Sequence, residues 1–337
     1  TMSAVALSLV PQPAPAALAL PTLRLERLCF AFQALEPIRL PTYSGSAWRG
    51  LLGHSLRRSV CVTRAPTCDG CLLRTHCVYS TLFESPPTSE QTAQRYNALP
   101  HPFVLEPPPA GQREVAPGES LQLGLTLIGR AGDQLPYLIH ALQRAGDRGL
   151  GREGGRFRLR QVMQETTLGD EDWQPVFEAE RGVLRPVRTA AATLGPAPAV
   201  VSIQLRTPLR LKRQGHYLRP QQLDAEALLG TLLTRLARLL EHYQPEAGHL
   251  DQAPLRTAIA QVRLEHADLR WVDWTRYSSR QRTHMQLGGL LGRFRLRGPG
   301  LPALWPLIVL GQWLHVGKNT SFGLGRYRVV PDQTTGD

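Results

Sequence analysis

Lysine is almost missing from this 337-residue chain: Lys212 and Lys318 are the only two. Of 39 Lys+Arg, 37 are therefore arginine, against 27 Asp+Glu, and the formal charge is +12 with a pI near 10.1. A positive excess carried by guanidinium favours forked contacts to phosphate and stacking on bases. A polyanionic partner fits, because contacts to phosphates release condensed counterions. Genome base composition produces the same bias, and a basic balance also simply keeps a protein soluble, so charge alone names no partner. Equally absent is any run of about 18 uninterrupted apolar residues, the minimum for a membrane span. The opening stretch from Val5 to Leu20 is broken by Pro11, Pro13 and Pro15 and ends at Pro21, without a basic flank. The chain reads as soluble and cytoplasmic, with no membrane partner. Cysteine is scarce as well, at five residues. The length leaves room for two ordinary domains with cores of their own rather than one stapled scaffold.

Leu23, Leu25, Leu28, Phe30 and Phe32 read as a strand whose alternation slips near Glu26-Arg27, as a bulge would do. Trp48, Leu51, Leu52, Leu56 and Val60 recur at helical spacing, which turns Gly50, His54 and Arg57 to the polar side. Residues 61–109 are rich in cysteine and proline and read as an insertion, with a short strand at Phe103-Leu105. Leu121, Leu123, Leu125 and Leu127 alternate as a strand, and Asp133 is expected to cap a helix carrying Leu135, Leu138, Ile139 and Leu142. A glycine-rich loop, Gly149 to Gly155, then leads into Arg156-Phe157-Arg158.

After a Pro/Ala-rich linker near Leu194 to Ala199 the order begins again. Val201, Ile203 and Leu205 alternate, Asp224 caps a long leucine-rich helix, and a hairpin is expected between Leu269 and Leu296. A nearly all-apolar helix, Leu301 to Leu314, runs into the glycine-rich segment Gly317 to Gly325 and a last strand at Arg326-Tyr327-Arg328. Two diverged copies of one strand-helix-strand-strand-helix-strand unit are implied. This gives an α+β fold of two tandem ferredoxin-like, RRM-like domains. The boundaries are an N-terminal extension 1–22, a first domain 23–193 with its insertion at 61–109, a second domain 194–330 and a tail 331–337.

Cys61, Cys68, Cys71 and Cys77 form a cluster around a Cys-Asp-Gly-Cys knuckle that lets two thiolates converge on one metal. Zinc in a structural role is the first expectation and an iron–sulfur cluster the second. A four-thiolate site has no open position for catalysis, and His76 is a spare ligand. Cys29 stands apart, in a strand. Gly149-x-Gly151-x-x-Gly154 has the letters of a dinucleotide fingerprint but lacks the strand before and helix after. Its glycines instead read as an anion nest. In the second glycine segment Lys318 sits among Gly317, Gly323 and Gly325. There the expectation is a flexible loop whose amides and ammonium lie against an RNA backbone; the plainer reading is a solvated turn.

Three stretches in order, Arg276-Tyr-Ser-Ser-Arg-Gln281, Leu287-Gly-Gly-Leu-Leu-Gly292 and Gly311 to Tyr327, together resemble the CRISPR pre-crRNA-processing endoribonucleases of the RAMP superfamily. The first half resembles them more loosely, through Trp48-Arg49-Gly50 and the cysteine knuckle ending at Tyr79 to Glu84. The resemblance implies a cleft between two domains holding the stem-loop of precursor and mature CRISPR repeat RNA, other CRISPR-associated proteins as partners, and metal-independent scission. In that reaction a ribose 2′-hydroxyl attacks the adjacent phosphate, leaving a 2′,3′-cyclic phosphate and a 5′-hydroxyl. It needs a base, an acid and a cation at the phosphorane. The family's placement of a histidine on the first helix points to His54 as base or acid, an idle surface histidine being the alternative. His315 is second, and Lys318 is the cation. RNA contacts are expected at Gly317, Lys318, Asn319, Gly323, Gly325, Arg326, Arg328, Arg57, Arg156, Arg158, Arg276 and Arg280. The alternative function is a non-catalytic RAMP subunit that grips guide RNA in an effector complex; a zinc-knuckle DNA-binding regulator is a third reading.

Overall fold

The computed structural model describes residues 20–87, 99–111, 113–151, 153–278 and 283–331, and of residues 275–278 and 283–286 the backbone alone. The first half runs β1 (Leu25–Ala34), α1 (Gly45–Val60), β2 (Phe103–Glu106), β3 (Ser120–Ile128), α2 (Leu135–Gly146) and β4 (Phe157–Glu165). Two further strands, β5 (Trp173–Glu178) and β6 (Val183–Leu184), extend its sheet, whose order is β2-β3-β1-β4-β5-β6 with every pairing antiparallel. The second half repeats the unit with β7 (Val200–Leu209), α3 (Ala225–Tyr243), a short α4 (Ala253–Ala260), β8 (Arg263–Ser278), β9 (Thr283–Arg297), α5 (Leu301–Leu314) and β10 (Tyr327–Val330). Its sheet order is β8-β9-β7-β10. In each half the first strand lies between the third and the fourth, the ferredoxin-like arrangement.

The local reasons are visible in the side chains. Leu28, Phe30 and Phe32 on one face of β1 are at most 1% exposed. The apparent slip at Glu26-Arg27 is no bulge, because β1 runs in unbroken register against β3 from Leu25↔Ile128 to Gln33↔Ser120. Both charged residues are simply buried and paired: Glu26 with Arg24 at 2.7 Å, Arg27 with Glu165 at 2.6 Å. The irregularity in β1 falls later, against β4, between Ala31 and Phe32. Asp224 does cap α3, accepting from Ala227 N at 2.7 Å. Asp133 does not cap α2, which begins at Leu135; its carboxylate instead accepts from Arg24 Nη1 at 2.8 Å. Phe103–Glu106 belongs to the sheet itself, pairing with β3. The inserted stretch is therefore shorter than the expected 61–109, and Leu82 and Phe83 within it are also buried. Among the described residues no helix is long and apolar enough to cross a membrane.

Each half has its own apolar core, yet Leu25, Val104 and Ile128 of the first half join the core of the second. A buried ionic knot completes the junction. Glu106 at the end of β2 meets Arg27 Nη2 at 3.1 Å and Arg326, from the other half, at 2.9 Å. Burial by itself would raise the Glu106 carboxyl; Arg326 and Arg27 overcome that and hold it at about 2. Breaking such a pair strands charge in the interior. Glu106→Ala is therefore expected to lower unfolding free energy by about 3–5 kcal/mol in urea titrations; a loss below about 1 kcal/mol, the surface-pair range, would contradict the knot's structural role.

Candidate nucleic-acid interface

The segment between α5 and β10 is not an open flap. Its amides are engaged within the protein: Val316 N donates to Gly325 O (3.0 Å), Lys318 N to Arg210 O (2.9 Å), Gly323 N to Thr320 O (2.9 Å) and Gly325 N to Pro208 O (3.0 Å). Residues 320–325 are buried between the halves, where Tyr43 donates its hydroxyl to Phe322 O at 2.7 Å. Gly323, at φ 96°, lies so close to Leu105 O and the Tyr43 hydroxyl that a Cβ would stand 2.7 Å from each. The expected flexible loop, with Gly323 and Gly325 against RNA, is thus corrected: this part packs inside. Only the tip, Gly317-Lys318-Asn319, reaches the surface.

That tip opens onto a crevice of about 780 Å³ between the halves. Arg49 comes from α1, Arg210, Lys212 and Arg213 from the end of β7 and the turn after it, Arg235 and Arg238 from α3, and Arg256 from α4. With Lys318 these make eight cations, against a single acid, Glu226. Both lysines of the chain, 106 positions apart, therefore line one crevice. The α3 face presented here is the stripe Ala227, Thr231, Thr234, Arg238, at helical spacing. Arg235 lies deeper, 8% exposed; its Nε donates to Leu314 O at 3.0 Å, while its Nη2 has no partner among the described residues. Burial pulls its guanidinium down to about 10. A buried cation with an unmet donor is costly on its own and suits an anionic ligand.

His101 forms part of the same wall. Arg49 Nη2 lies 3.2 Å from its Nε2, and because arginine only donates, Nε2 must accept. Nδ1 therefore carries the proton and donates to Ser85 Oγ at 2.9 Å. Burial, then the charges of Arg49 and Arg235, push His101 down to about 3, so the ring is neutral at pH 7. Arg49 Nε also donates to Ser321 Oγ at 3.1 Å, linking α1 to the glycine segment.

A family model described as CRISPR-associated endoribonuclease Cas6 matches residues 203–327, and one described as an N-terminal domain matches residues 20–189. The second half of the chain, residues 203–327, is thus similar to the Cas6 endoribonucleases. A Thermus thermophilus Cas6 structure is similar to it with 18% identity and a TM-score of 0.52, over 92% of this chain and 99% of that one. A Cas6 product complex gives 18% and 0.53 over 91% and 100%, and a partial Cas6-RT-Cas1–Cas2 complex 16% and 0.53 over 96% and 48%. At such identities these likenesses speak for the fold. An uncharacterized protein of Archaeoglobus fulgidus is 30% identical over 111 residues; the match spans 33% of this chain and 37% of that relative's length.

Within this Cas6 fold the residues singled out in the sequence fall into distinct places. His54 is exposed on α1 as expected, but five residues past Arg49 it sits about 140° round the helix and does not line the crevice. His315 is 0% exposed, its Nδ1 3.2 Å from Leu324 O, so its ring cannot reach a phosphate. Arg326 is held by Glu106 and Arg328 lies over Trp313, 5.8 Å from the ring centroid. Arg57 donates to Ala65 O and Pro66 O, and Arg156 pairs with Glu36 at 2.7 Å. Arg158 is exposed on β4. The side chain of Arg276, and Arg280 altogether, lie outside the described residues. The Gly149 loop closes on itself, Leu150 N donating to Gly155 O (2.9 Å) and Gly155 N to Leu150 O (3.1 Å), which turns these two amides inward rather than into an anion nest. His101, Arg210 and Arg235 were missed. Arg235 had a signal, since positions 228, 232, 235 and 239 share one helical stripe and a charge interrupts it.

His101 and His315 are both held neutral, burial being the main cause in each and setting His315 also near 3. Below the ordinary histidine range near 6.5 the unfolded chain binds protons that the folded one refuses, so stability falls as pH drops. Glu26, whose carboxyl burial raises, opposes this, and Glu106 adds to it only below about 4.5. The unfolding midpoint is expected to fall between pH 7 and pH 5, with a shallower slope in His315→Gln and in His101→Gln. A wild-type midpoint that is flat over this range would contradict the buried neutral state.

Proposed function

We propose that this chain is a CRISPR RNA-processing endoribonuclease that holds repeat RNA, precursor and product, along the arginine-lined crevice, and that it works beside other CRISPR-associated proteins. One observation carries the reading: eight cations, including the two lysines, converge from both halves on a crevice with one acid. The match of residues 203–327 to the Cas6 family model supports it. The reaction assigned is transesterification. A ribose 2′-oxygen attacks the adjacent phosphorus, the bond to the 5′-oxygen breaks as that oxygen takes a proton from water, and the products carry a 2′,3′-cyclic phosphate and a 5′-hydroxyl. No metal is needed when a base, a proton donor for the leaving oxygen and a cation are in place.

The base in this proposal is His101 rather than His54 or His315. An arriving phosphate offers Arg49 a better acceptor than the imidazole, which frees Nε2. It also offsets the positive field of Arg49 and Arg235, so the ring becomes more basic as substrate binds. Nε2 then takes the 2′-hydroxyl proton while Ser85 keeps Nδ1 protonated and the ring oriented. Lys318 stabilises the charge that builds on the phosphorane, and Gly317, Asn319, Arg210 and Arg256 grip the backbone. One observation favours the alternative, a non-catalytic subunit gripping guide RNA: in this structure Arg49 already occupies the lone pair that a base needs.

A single-turnover assay with the cognate repeat in EDTA separates the two readings. The enzyme reading expects product with cyclic phosphate ends; tight binding with no product supports the subunit. His101→Ala is expected to slow cleavage by about 10²–10⁴-fold and Lys318→Ala by about 10²–10³-fold, with His54→Ala unchanged. Loss of cleavage in His54→Ala with full activity in His101→Ala would transfer the base to α1.

A further inference from the structure

The loop from Cys61 to Cys77 has no core. None of its residues is buried, and Val62 and Leu72 stand 76% and 85% exposed. Its four cysteines are nonetheless all half-buried, turned to the loop's inside. The backbone is wound in turns: Cys71 N donates to Cys68 O at 3.3 Å and Cys77 N to Leu73 O at 2.9 Å. Gly70, at φ 70°, supplies the left-handed residue in the turn between Cys68 and Cys71. Cys61 and Cys71 converge from ten positions apart on one hydroxyl, since Thr63 Oγ1 is 3.8 Å from the first Sγ and 3.9 Å from the second. Arg57 braces the outer arm through the carbonyls of Ala65 and Pro66.

Fixing each residue costs about 1–2 kcal/mol of backbone entropy, and apolar burial within this loop does little to offset that. All four thiols are free, so disulfides do not offset it either. We propose that Cys61, Cys68, Cys71 and Cys77 bind one structural zinc ion. Among the described residues no three His, Cys, Asp or Glu side chains stand in ligating geometry, so the thiols draw inward as the ion enters. Four thiols lose their protons to solvent, four sulfur–zinc bonds form, and no electron is transferred. The resulting double negative charge is offset by Arg57, Arg64 and Arg74 in or beside the loop. Zinc binding also braces the chain entering Ser80–Glu84, and thus Ser85, the partner of His101. The metal claim itself holds whether or not the protein cuts RNA.

Elemental analysis of the purified full chain is expected to find about one zinc per molecule, falling to background in the Cys68→Ser/Cys71→Ser double variant. Should that variant not fold, thiol titration of the native protein decides: the four loop thiols are expected to stay protected until a zinc chelator is added, with Cys29 as the internal reference. Loop thiols that react at once in a protein without stoichiometric metal would overturn the proposal. Iron with acid-labile sulfide in place of zinc would overturn the ion's identity.

Discussion

The two halves are locked by a carboxylate that belongs to both. Glu106 sits where the first sheet ends, and its charge is kept by Arg27 on its own side and Arg326 on the other. Arg326 directly follows the glycine segment, so the ion pair anchors the end of that segment. Tyr43 anchors its middle through Phe322 O, and the Arg210 carbonyl its beginning through Lys318 N. What glycine supplies here is close approach, not mobility. Gly325, at φ 71°, runs so near Val316 O that a Cβ would stand 1.8 Å away. His315, at φ 57° and ψ 165°, adopts a conformation that non-glycine residues seldom take, held while its ring is sealed inside. The outcome is a rigid wall that fixes the backbone of Lys318 while its side chain stays exposed.

The crevice beyond that wall gathers eight cations around Glu226, with Arg213 also paired to Asp224. Clustered cations lower the stability of the free protein, and a buried guanidinium such as Arg235 adds desolvation. Inside the ionic knot each arginine has a carboxylate. Composition alone does not distinguish arginines paired with carboxylates inside the fold from those gathered along the crevice.

That limit also sets what was legible in the sequence. Element order, the repeat and the polar face of α1 followed from periodicity, because apolar spacing reports directly on which face is covered. Charges on β1 misled, since Arg27 is buried against partners far away in the chain, Glu106 and Glu165, while Glu26 is paired with the neighbouring Arg24. His101 was invisible for the same reason. It stands in a proline-flanked stretch with no period, and only tertiary packing brings Arg49 and Ser85 to its ring. Arg-aromatic-Arg strands looked like RNA contacts, yet charge pattern alone does not tell a guanidinium facing phosphate from one facing Glu36, Glu106 or Trp313.

The duplicated unit explains where such contacts went. In both copies the first arginine after the glycines is taken by an acid, Arg156 by Glu36 and Arg326 by Glu106. In both copies, too, the glycines let backbone close on backbone. The copies differ at the tip. The first loop folds back through Leu150 and Gly155 and carries no lysine, whereas the second brings Lys318 out beside Arg210, Lys212 and the α3 stripe. A shared scaffold therefore holds the junction in each half, and the two copies differ by a three-residue excursion, Gly317-Lys318-Asn319. Its ammonium is a compact point charge on a flexible stem, unlike the planar fork that the 37 arginines present.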